Sequence, residues 1–393
     1  MQHSLIPPSS ADIWGKPEGC TGWVMMAQTY PQPDDSGNGE DAEGTATHEI
    51  GERIIKRYAS GDFAIKPEDY VDTSASNGVL VTLEMYEGAL MYAENVGEVM
   101  RKHAVFGGPN FGIEQQLKIP LVHEYNYGTP DMWIYKPDQF KLYLWDFKFG
   151  YIIHEVYENW QLLNYLAGLI SHLDIDGLFS QKITVHMRVI QPRAQHRDGP
   201  VREWVATLAD LRGYVNILHQ NAHIALSNEA EVRTGSHCRF CSARHACGPA
   251  LAAGVGLFEI AGRPLPDELT PEQMGIQLKI IKRAIDQLGY LESGYEEQIK
   301  SMISRGQRVP GWCAEIGFGR VVWNKPTAEV LALGDMLGKN LRKPPEAITP
   351  KQAIKMGMDE TLINDYSTQS KKGLKIVPDT NLNNKPKQVF SKS

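Results

Sequence analysis

The chain has 393 residues, of which 42% are hydrophobic and 22% are charged, and its formal net charge at neutral pH is −7. This length suffices for two or three domains, and the composition is that of a soluble globular protein. The longest apolar runs are far too short to span a membrane, and no basic-then-apolar leader opens the sequence. We therefore expect a cytoplasmic protein without a membrane anchor.

The first part of the chain, residues 1–43, is rich in Pro, Gly and Asp and carries Cys20. Within it we expect a loop over 29–43, because the segment lacks hydrophobic periodicity. Helices are predicted over 45–59 and over about 78–102, where apolar residues recur at helical spacing.

The middle of the chain alternates between strand and helix patterns. The order of helix, three strands, helix and strand predicts a mixed sheet flanked by helices. The predicted ranges are 112–121, 129–136 and 140–149 for the three strands, 158–172 for the helix, 182–191 for the fourth strand, and 205–227 for a further helix.

Beyond residue 250 the pattern becomes helical. The run from Thr270 to Gly306 begins with Thr and Pro in the N-cap and N1 positions and ends at Gly, which predicts a helix roughly 50 Å long at about 1.5 Å per residue. A hairpin turning at 317–319 and a basic tail follow. The expected organisation is an N-terminal segment (1–43), a central domain (44–250) and a C-terminal helical extension with hairpin and tail (251–393).

The most informative stretch reads Gly-Thr-Pro-Asp, a spacer, and then Asp-x-Lys. Asp131 lies beside one predicted strand, and Asp146 and Lys148 share a face of the next because side chains alternate along a strand. Carboxylates this close repel each other unless a cation lies between them, and Mg²⁺ prefers oxygen ligands. A lysine beside the cation can orient a water molecule. The pattern favours metal-dependent phosphodiester hydrolysis.

Three other segments make this interpretation more specific. Residues 44–48 read Gly-Thr-Ala-Thr-His and place His48 on a predicted helix. Gln161 and Tyr165 share one face of an otherwise apolar helix. A cysteine cluster is formed by Cys238, Cys241 and Cys247.

Together these motifs resemble the RecB-like nucleases of the PD-(D/E)XK superfamily. The resemblance is greatest to the subgroup with an iron–sulfur cluster, which includes the CRISPR-adaptation exonuclease and the AddAB nuclease domains. A group of phage proteins is similar in its Gly-Thr-Ala-x-His-Glu and Gly-Thr-Pro-Asp motifs. The likeness covers about residues 10–250. It implies a restriction-endonuclease-like α/β core, a helical flank bound to the cluster and a C-terminal α+β extension.

The resemblance also implies roles for individual residues. Mg²⁺ or Mn²⁺ would be held by His48, Asp131, Asp146 and the Phe147 carbonyl. Lys148 would position the attacking water. Gln161 and Tyr165 would contact DNA near the scissile phosphate. Glu114 could add a carboxylate, although a solvent-facing strand Glu is an equal alternative.

The three clustered cysteines need a fourth ligand to close a metal site. A local zinc site of three cysteines with His237 or His245 is one solution. The other recruits Cys20, and the resemblance implies this one, since the related subgroup binds a 4Fe–4S cluster through one cysteine before the nuclease core and three after it. Ligand count and placement favour the iron–sulfur cluster over zinc.

The expected function is that of a Mg²⁺- or Mn²⁺-dependent DNA exonuclease in phage recombination or replication. Its partners would be DNA, single-stranded or with free ends, and a single-strand annealing or recombination protein. Two alternatives stay open: a DNA-binding or scaffolding module with little hydrolysis, and an endonuclease with structural zinc. The net charge argues against tight non-specific DNA binding, although six lysines lie between Gln369 and Ser393.

Overall fold

The computed structural model of the protein describes residues 4–31, 39–177, 180–261 and 269–313, with the single positions 332 and 336. The chain divides into two compact units, Met1–Pro326 and Thr327–Ser393, and the four described stretches belong to the first. The predicted hairpin at 317–319 and the basic tail lie outside the described residues. The boundaries expected at 43 and 250 fall within helices.

The described residues form a mixed α/β fold, which confirms the expected sheet flanked by helices. The α-helices of the described stretches are α1 (Ala11–Trp14), α2 (Trp23–Thr29), α3 (Gly39–Ala59), α4 (Leu83–His103), α5 (Trp160–His172), α6 (Leu208–Ala225), α7 (Gly248–Ala261) and α8 (Pro271–Ser304). The strands are β1 (Phe111–Ile113), β2 (Leu117–Lys118), β3 (Tyr127–Gly128), β4 (Met132–Lys136), β5 (Lys141–Phe147), β6 (Thr184–Ile190) and β7 (Val201–Thr207).

The main sheet has the strand order β1-β4-β5-β6-β7, and β2 pairs separately with β3. Strands β5 and β6 are parallel, with Lys141 opposite Thr184 and Phe147 opposite Ile190, whereas the other pairs are antiparallel. A parallel pair needs a crossover connection, and α5 supplies it. The expected order of helix, three strands, helix and strand is therefore present.

Strand β5 is buried on both faces, so it reads as a nearly continuous apolar run. Leu142 and Leu144 point into a core that the sheet shares with α1, α5 and α6. Tyr143 and Trp145 point into a second core shared with α3 and α4. Asp146, the next residue in this alternation, consequently lies on the α5 side.

Side-chain caps fix where several helices begin. The Thr82 hydroxyl accepts a hydrogen bond from the Met85 N–H at the start of α4. Thr207 and Asp210 form a reciprocal capping box at the start of α6. The same arrangement of Thr270 and Gln273, with Pro at the first helical position, begins α8 close to the predicted residue.

Between β1 and α6 one predicted strand was wrong, and one strand, β7, was not predicted. The single strand expected over 112–121 is broken, because Glu114 adopts a φ of +44° directly after β1. The helix expected over 205–227 begins only at Leu208, and residues 201–207 form the edge strand β7. The charged Arg202 and Glu203 suit an edge strand, since charge there discourages pairing with other chains.

Two further predictions concern helices. The loop expected over 29–43 is wrong from residue 39 onward, because α3 begins at Gly39. Helix α7 was not predicted, and its glycines explain why, since Gly disfavours a helix by about 1 kcal/mol relative to Ala. None of the helices in the described stretches combines the length and apolar character that a membrane span requires.

The N-terminal segment is part of the main core. Ile6, Ala11 and Trp14 are completely buried beside residues of α5 and α6. The Asn221 side chain on α6 donates hydrogen bonds to the carbonyls of Gly15 and Lys16 at 2.9 and 3.0 Å. Residues before α3 therefore stabilise the sheet domain directly.

Replacing Trp14 by Ala should destabilise the protein by about 3–5 kcal/mol, because the substitution removes a fully buried indole and leaves a cavity. Urea unfolding followed by circular dichroism measures this difference. Trp312→Ala is the matched control, since that indole is 64% exposed and its loss should cost less than about 0.5 kcal/mol. Equal stabilities of the two variants would contradict the placement of the N-terminal segment in the core.

Candidate functional site

A cleft of about 820 Å³ opens where α3 meets the segments that follow β1 and β5. Its described lining residues include five acidic side chains and two histidines but no Lys or Arg. These residues are Asp41, Glu49, Glu52, Glu114, Asp131, His48 and His154. The cleft is therefore negative, and it would repel a phosphate group unless a cation were bound there.

Three of these side chains converge at one point. Ligand atoms of His48, Glu114 and Asp131 all lie within 4.8 Å of one another. The His48 Nδ1 atom is 3.8 Å from Asp131 Oδ1 and 4.0 Å from Glu114 Oε1. The three residues come from α3, from the turn after β1 and from the residue before β4, so only the folded chain brings them together.

The backbone holds each member of this cluster in place. The Glu114 N–H donates to the Asp131 carbonyl at 3.1 Å. The backbone of Glu114 is in the left-handed region, which costs about 1 kcal/mol for a residue with a side chain. Asp131 Oδ2 accepts a 2.6 Å hydrogen bond from the Phe147 N–H. The Phe147 ring lies 4.9 Å from the His48 ring and stacks on Tyr92 at 4.8 Å.

Asp146 and Lys148 form a second group beside the cluster. The Lys148 ammonium donates to Asp146 Oδ1 at 3.0 Å and to Gln161 Oε1 at 3.2 Å. Asp146 is only 1% exposed, and its Oδ2 atom has no hydrogen-bond partner among the described residues. Gln161 in turn hydrogen-bonds the buried Tyr165 hydroxyl. These four residues thus form a chain of contacts that connects α5 with the end of β5.

The pKa values of Glu114 and Asp146 are raised in this site. Burial, together with the charges of Asp131 and Glu52, raises the pKa of Glu114 to about 8. Burial also raises the pKa of Asp146, although Lys148 opposes this shift. Burial disfavours the charged form of Lys148, but Asp146 and Asp131 outweigh it and raise the pKa of the ammonium. Ionisation of all these carboxyl groups at once would therefore give more negative charge than the one lysine balances.

This donor set fits a divalent cation. One imidazole and two carboxylates suit Mn²⁺, and the carboxylate oxygens also suit Mg²⁺. The buried Asp146 Oδ2 atom without a hydrogen bond is a polar group that a bound cation and its water could satisfy. Chemically, the site could hold a cation next to a protonated lysine at the edge of a wide cleft.

The structure brings together most of the residues predicted for the site. His48 and Asp131 are neighbours, and Asp146 and Lys148 lie beside them. Phe147 contacts Asp131 through its N–H. Glu114, for which the sequence left a surface position equally open, is a member of the cluster.

Sequence reasoning missed His154, which lines the cleft and lies six residues after Lys148 in the chain. Burial and the nearby Lys148 lower its pKa, so its imidazole is neutral around physiological pH. It lies in an irregular segment after β5, where neither periodicity nor spacing marks a functional residue. Only its proximity to Lys148 and Asp146 identifies it.

Four cysteines line a second, smaller cavity. These are Cys20, Cys238, Cys241 and Cys247, whereas Cys313 is exposed and does not line it. Burial and the neighbouring thiols raise the pKa of Cys241 to about 11. His237 also lines this cavity, but His245, the other histidine considered for a zinc site, does not.

Hydrogen bonds tie the two cysteine-bearing segments together. The Gly22 N–H donates to the Glu231 carbonyl at 2.8 Å, and the Glu231 N–H donates to the Thr21 hydroxyl at 3.0 Å. The Arg233 N–H donates to Cys20 Sγ at 3.4 Å. Cys20 is thereby held next to a segment more than 200 residues later in the chain.

Amide and imidazole donors surround the sulfur atoms. The Gly235 N–H donates to Cys238 Sγ at 3.4 Å. Burial alone would raise the pKa of Cys238, but His237 and Gly235 together lower it. His237 Nε2 donates to the Arg233 carbonyl at 2.9 Å, and hydrogen bonds to Cys20 and Cys238 raise its pKa to about 10 against the effect of burial. His237 thus hydrogen-bonds the side chains of Cys20 and Cys238 in this arrangement.

A model of a known protein family matches most of the chain. The family model described as a protein of unknown function, DUF2800, matches residues 3–381 of the chain. The search of curated proteins gives no match.

The geometry predicts that Mn²⁺ binds to the cluster of His48, Glu114 and Asp131. In calorimetric titrations, Glu114→Gln should weaken Mn²⁺ binding at least about tenfold, because it removes an anionic ligand and leaves the site less negative. His48→Ala should weaken Mn²⁺ binding more than Mg²⁺ binding, since imidazole suits Mn²⁺ better. The exposed Glu229→Gln serves as the control. Unchanged Mn²⁺ affinity in Glu114→Gln would exclude this carboxylate as a ligand.

Proposed function

The chain belongs to the DUF2800 family of proteins of unknown function, and we propose that it is a metal-dependent DNA nuclease with a RecB-like PD-(D/E)XK core. One observation carries this proposal. A cluster of one histidine and two carboxylates lies at the edge of a wide cleft, directly beside the buried Asp146 and its half-buried partner Lys148. Metal ligands next to a fixed ammonium suit the hydrolysis of a charged ester.

The proposed division of roles follows from the contacts. His48, Glu114 and Asp131 would hold the cation, with Asp146 adjoining them through its unbonded oxygen. A bound divalent cation supplies charge neutralisation at the phosphate and lowers the pKa of a coordinated water. The Phe147 N–H fixes the orientation of the Asp131 carboxylate.

Lys148 would act on the phosphate or on the attacking water. An ammonium has three N–H donors, and Asp146 and Gln161 accept two of them among the described residues. The third can donate to a water or to a phosphate oxygen. Because neighbouring carboxylates keep this lysine protonated, its role is to orient the attacking water or the phosphate and to stabilise negative charge.

Exposed apolar residues beside the cleft support a nucleic-acid substrate with accessible bases. Tyr151 and Ile152 line the cleft and are 57% and 43% exposed, and Tyr157, six residues after Tyr151 in the chain, is 61% exposed. Aromatic side chains can stack on unpaired bases. We therefore propose single-stranded DNA or DNA ends as the substrate, bound through the cation and these side chains, since the cleft has no Lys or Arg among its described lining residues.

We also propose that Cys20, Cys238, Cys241 and Cys247 bind a 4Fe–4S cluster that connects the two ends of the domain. A tetrahedral zinc ion, with Zn–S bonds of about 2.3 Å, would hold its sulfur ligands about 3.8 Å apart. Among the described residues, no three cysteine or histidine ligand atoms at this cavity lie within 4.8 Å of one another. Four thiols at one cavity match the ligand set of a 4Fe–4S cluster, and this count favours a cluster over zinc.

Lys148→Ala and Asp146→Asn should each reduce the rate of DNA hydrolysis by far more than tenfold, because each removes a charged group next to the reacting phosphate. Lys141→Ala, on the same strand, is the matched control. Thermal unfolding of each variant separates lost chemistry from lost structure, which matters because Asp146 is buried. Activity of Lys148→Ala within tenfold of the wild type, in a folded protein, would overturn the role of this lysine.

The mode of cleavage is tested with Mn²⁺ and labelled linear DNA beside circular single-stranded DNA. We expect the linear substrate to shorten progressively from an end while the circle stays intact. Cleavage of the circle would make the protein an endonuclease. DNA binding without hydrolysis by the wild type, under conditions where Mn²⁺ binds, would make it a binding module and overturn the proposal.

The cluster proposal predicts a brown protein when it is purified without oxygen, because iron–thiolate clusters absorb visible light and zinc sites do not. Cys20→Ser should lose the colour and the iron as completely as Cys241→Ser does, whereas Cys313→Ser should lose neither. Metal analysis and visible spectra provide the measurement. A colourless protein with one zinc, unaffected by Cys20→Ser, would replace the cluster by a local zinc site.

A further inference from the structure

Residues 150–154, which we call the cleft segment, follow strand β5, and four of the five line the cleft. The completely buried side chain of Gln191, directly after β6, fixes the backbone of this segment. Its Nε2 atom donates to the Gly150 carbonyl at 3.0 Å and to the Ile152 carbonyl at 2.6 Å. Its Oε1 atom accepts from the His154 N–H at 3.2 Å. One buried amide thus holds three backbone groups of the cleft segment.

Arg202 of β7 completes this set of hydrogen bonds from a position that is only 4% exposed. Its guanidinium donates to the His154 carbonyl and to Gln191 Oε1, both at 2.8 Å, and to the Gly199 carbonyl at 3.0 Å. No carboxylate of the described residues lies within ion-pair distance of it. A buried cation without a carboxylate costs free energy, and apolar side chains would fill the same space at lower cost. Packing alone therefore does not account for this arginine, whereas the need to hold the His154 carbonyl does.

A further contact holds the aromatic ring of the cleft segment. The Arg193 guanidinium lies 5.2 Å from the centre of the Tyr151 ring, within the range of a cation–π interaction. Arg193 is itself fixed by ion pairs with Glu43 at 2.8 Å and with Glu84 at 3.0 Å. Gln191 and Arg193, two residues apart, therefore hold the backbone and the Tyr151 side chain respectively.

The cleft segment exposes apolar side chains although its backbone is hydrogen-bonded within the protein. Tyr151, Ile152 and Ile153 are consecutive in the chain and are 57%, 43% and 46% exposed. A contiguous apolar patch, unlike a single exposed apolar residue, marks a binding site. A backbone that is already fixed loses little conformational entropy when a ligand binds. The segment is therefore suited to hold a ligand with an apolar surface.

We propose that the cleft segment is the subsite for an unpaired nucleotide beside the scissile phosphate, with Gln191 and Arg202 as its positioning residues. This inference rests on the proposed nuclease function. A nucleobase has a flat apolar face that can stack on Tyr151 and pack against Ile152, whatever the base. A duplex would present its phosphates instead, and the described lining of the cleft contains five acidic side chains and no Lys or Arg. The segment therefore favours single-stranded DNA over a duplex.

The cleft segment is also connected to the lysine of the proposed reaction. It begins two residues after Lys148, whose N–H donates to the Ile190 carbonyl at 2.9 Å. Ile190 immediately precedes Gln191, so the end of β6 holds the backbone of both Lys148 and the cleft segment. A nucleotide bound to Tyr151 would consequently have a fixed position relative to the Lys148 ammonium.

The first experiment measures binding of a labelled single-stranded oligonucleotide by fluorescence anisotropy, with Mn²⁺ and in the Lys148→Ala background to limit hydrolysis. Tyr151→Ala/Ile152→Ala should raise the dissociation constant at least about tenfold, because it removes the surface on which a base stacks. Binding of a blunt duplex of equal length should change less. Both side chains are exposed, so the double variant should fold. Tyr125→Ala is the matched control, since Tyr125 is 54% exposed but does not line the cleft.

Steady-state hydrolysis of the same single strand tests the positioning residues. Gln191→Ala should raise KM at least about fivefold, because the released segment no longer holds the nucleotide. A merely structural role would instead lower the fraction of folded enzyme, which reduces the apparent kcat and leaves KM unchanged. Asn126→Ala is the control for lost stability. Asn126 is 1% exposed and donates to Asn164 at 2.8 Å, and neither residue lines the cleft.

Hydrogen exchange measured by mass spectrometry tests the hydrogen bonds without DNA. The His154 amide should exchange faster in Gln191→Ala than in the wild type, because it loses its acceptor. Exchange of this amide at the wild-type rate would overturn the assignment of Gln191 as a positioning residue.

The possible outcomes separate this inference from the proposed nuclease function. Hydrolysis by the wild type, with unchanged single-strand affinity in Tyr151→Ala/Ile152→Ala, would overturn the subsite and leave the nuclease proposal intact. Equal losses of affinity for the single strand and the duplex would also overturn it. Single-strand binding that depends on these two side chains, without hydrolysis by the wild type, would support the subsite and contradict the nuclease proposal. A wild-type protein that binds no DNA would overturn both.

Discussion

Repulsion between carboxylates is the interaction on which the rest of this structure depends. Glu114, Asp131 and Asp146 are held close together in partly or fully buried positions, and one lysine offsets their charge. Isolated carboxylates would separate or become protonated under these conditions. The backbone prevents separation, because the Phe147 N–H holds Asp131 and a left-handed turn holds Glu114. The raised pKa of Glu114, about 8, shows that this carboxyl holds its proton, which a bound cation would displace.

The two hydrophobic cores on either side of the sheet allow this concentration of charge. One core anchors α3 and therefore fixes His48 above the sheet. The other anchors α5 and fixes Gln161 behind Lys148. The polar residues of the site are few. They lie at the ends of β4 and β5, where the cleft begins. Packing on both faces of the sheet thus determines the geometry of the site, which lies at the edge that the two faces share.

Contacts between residues far apart in sequence join the two ends of the domain to its core. The N-terminal segment enters the main core through Trp14, and its backbone bonds to residues near Glu231 bring Cys20 to the other cysteines. Helix α8, which follows the sheet, packs against α7. The segment before the sheet is therefore a structural part of the domain.

The sequence by itself determined the elements with strong local signals. Alternation along β5, the capped start of α8 and the order of helices and strands were all readable, because each depends on residues close together in the chain. The motif containing Asp131, Asp146 and Lys148 was readable for the same reason. The tertiary structure alone decided that Glu114 joins His48 and Asp131, that His154 reaches the cleft and that residues 201–207 form an edge strand. These features depend on contacts between residues far apart in sequence and on one strained turn, and no local periodicity or propensity encodes either.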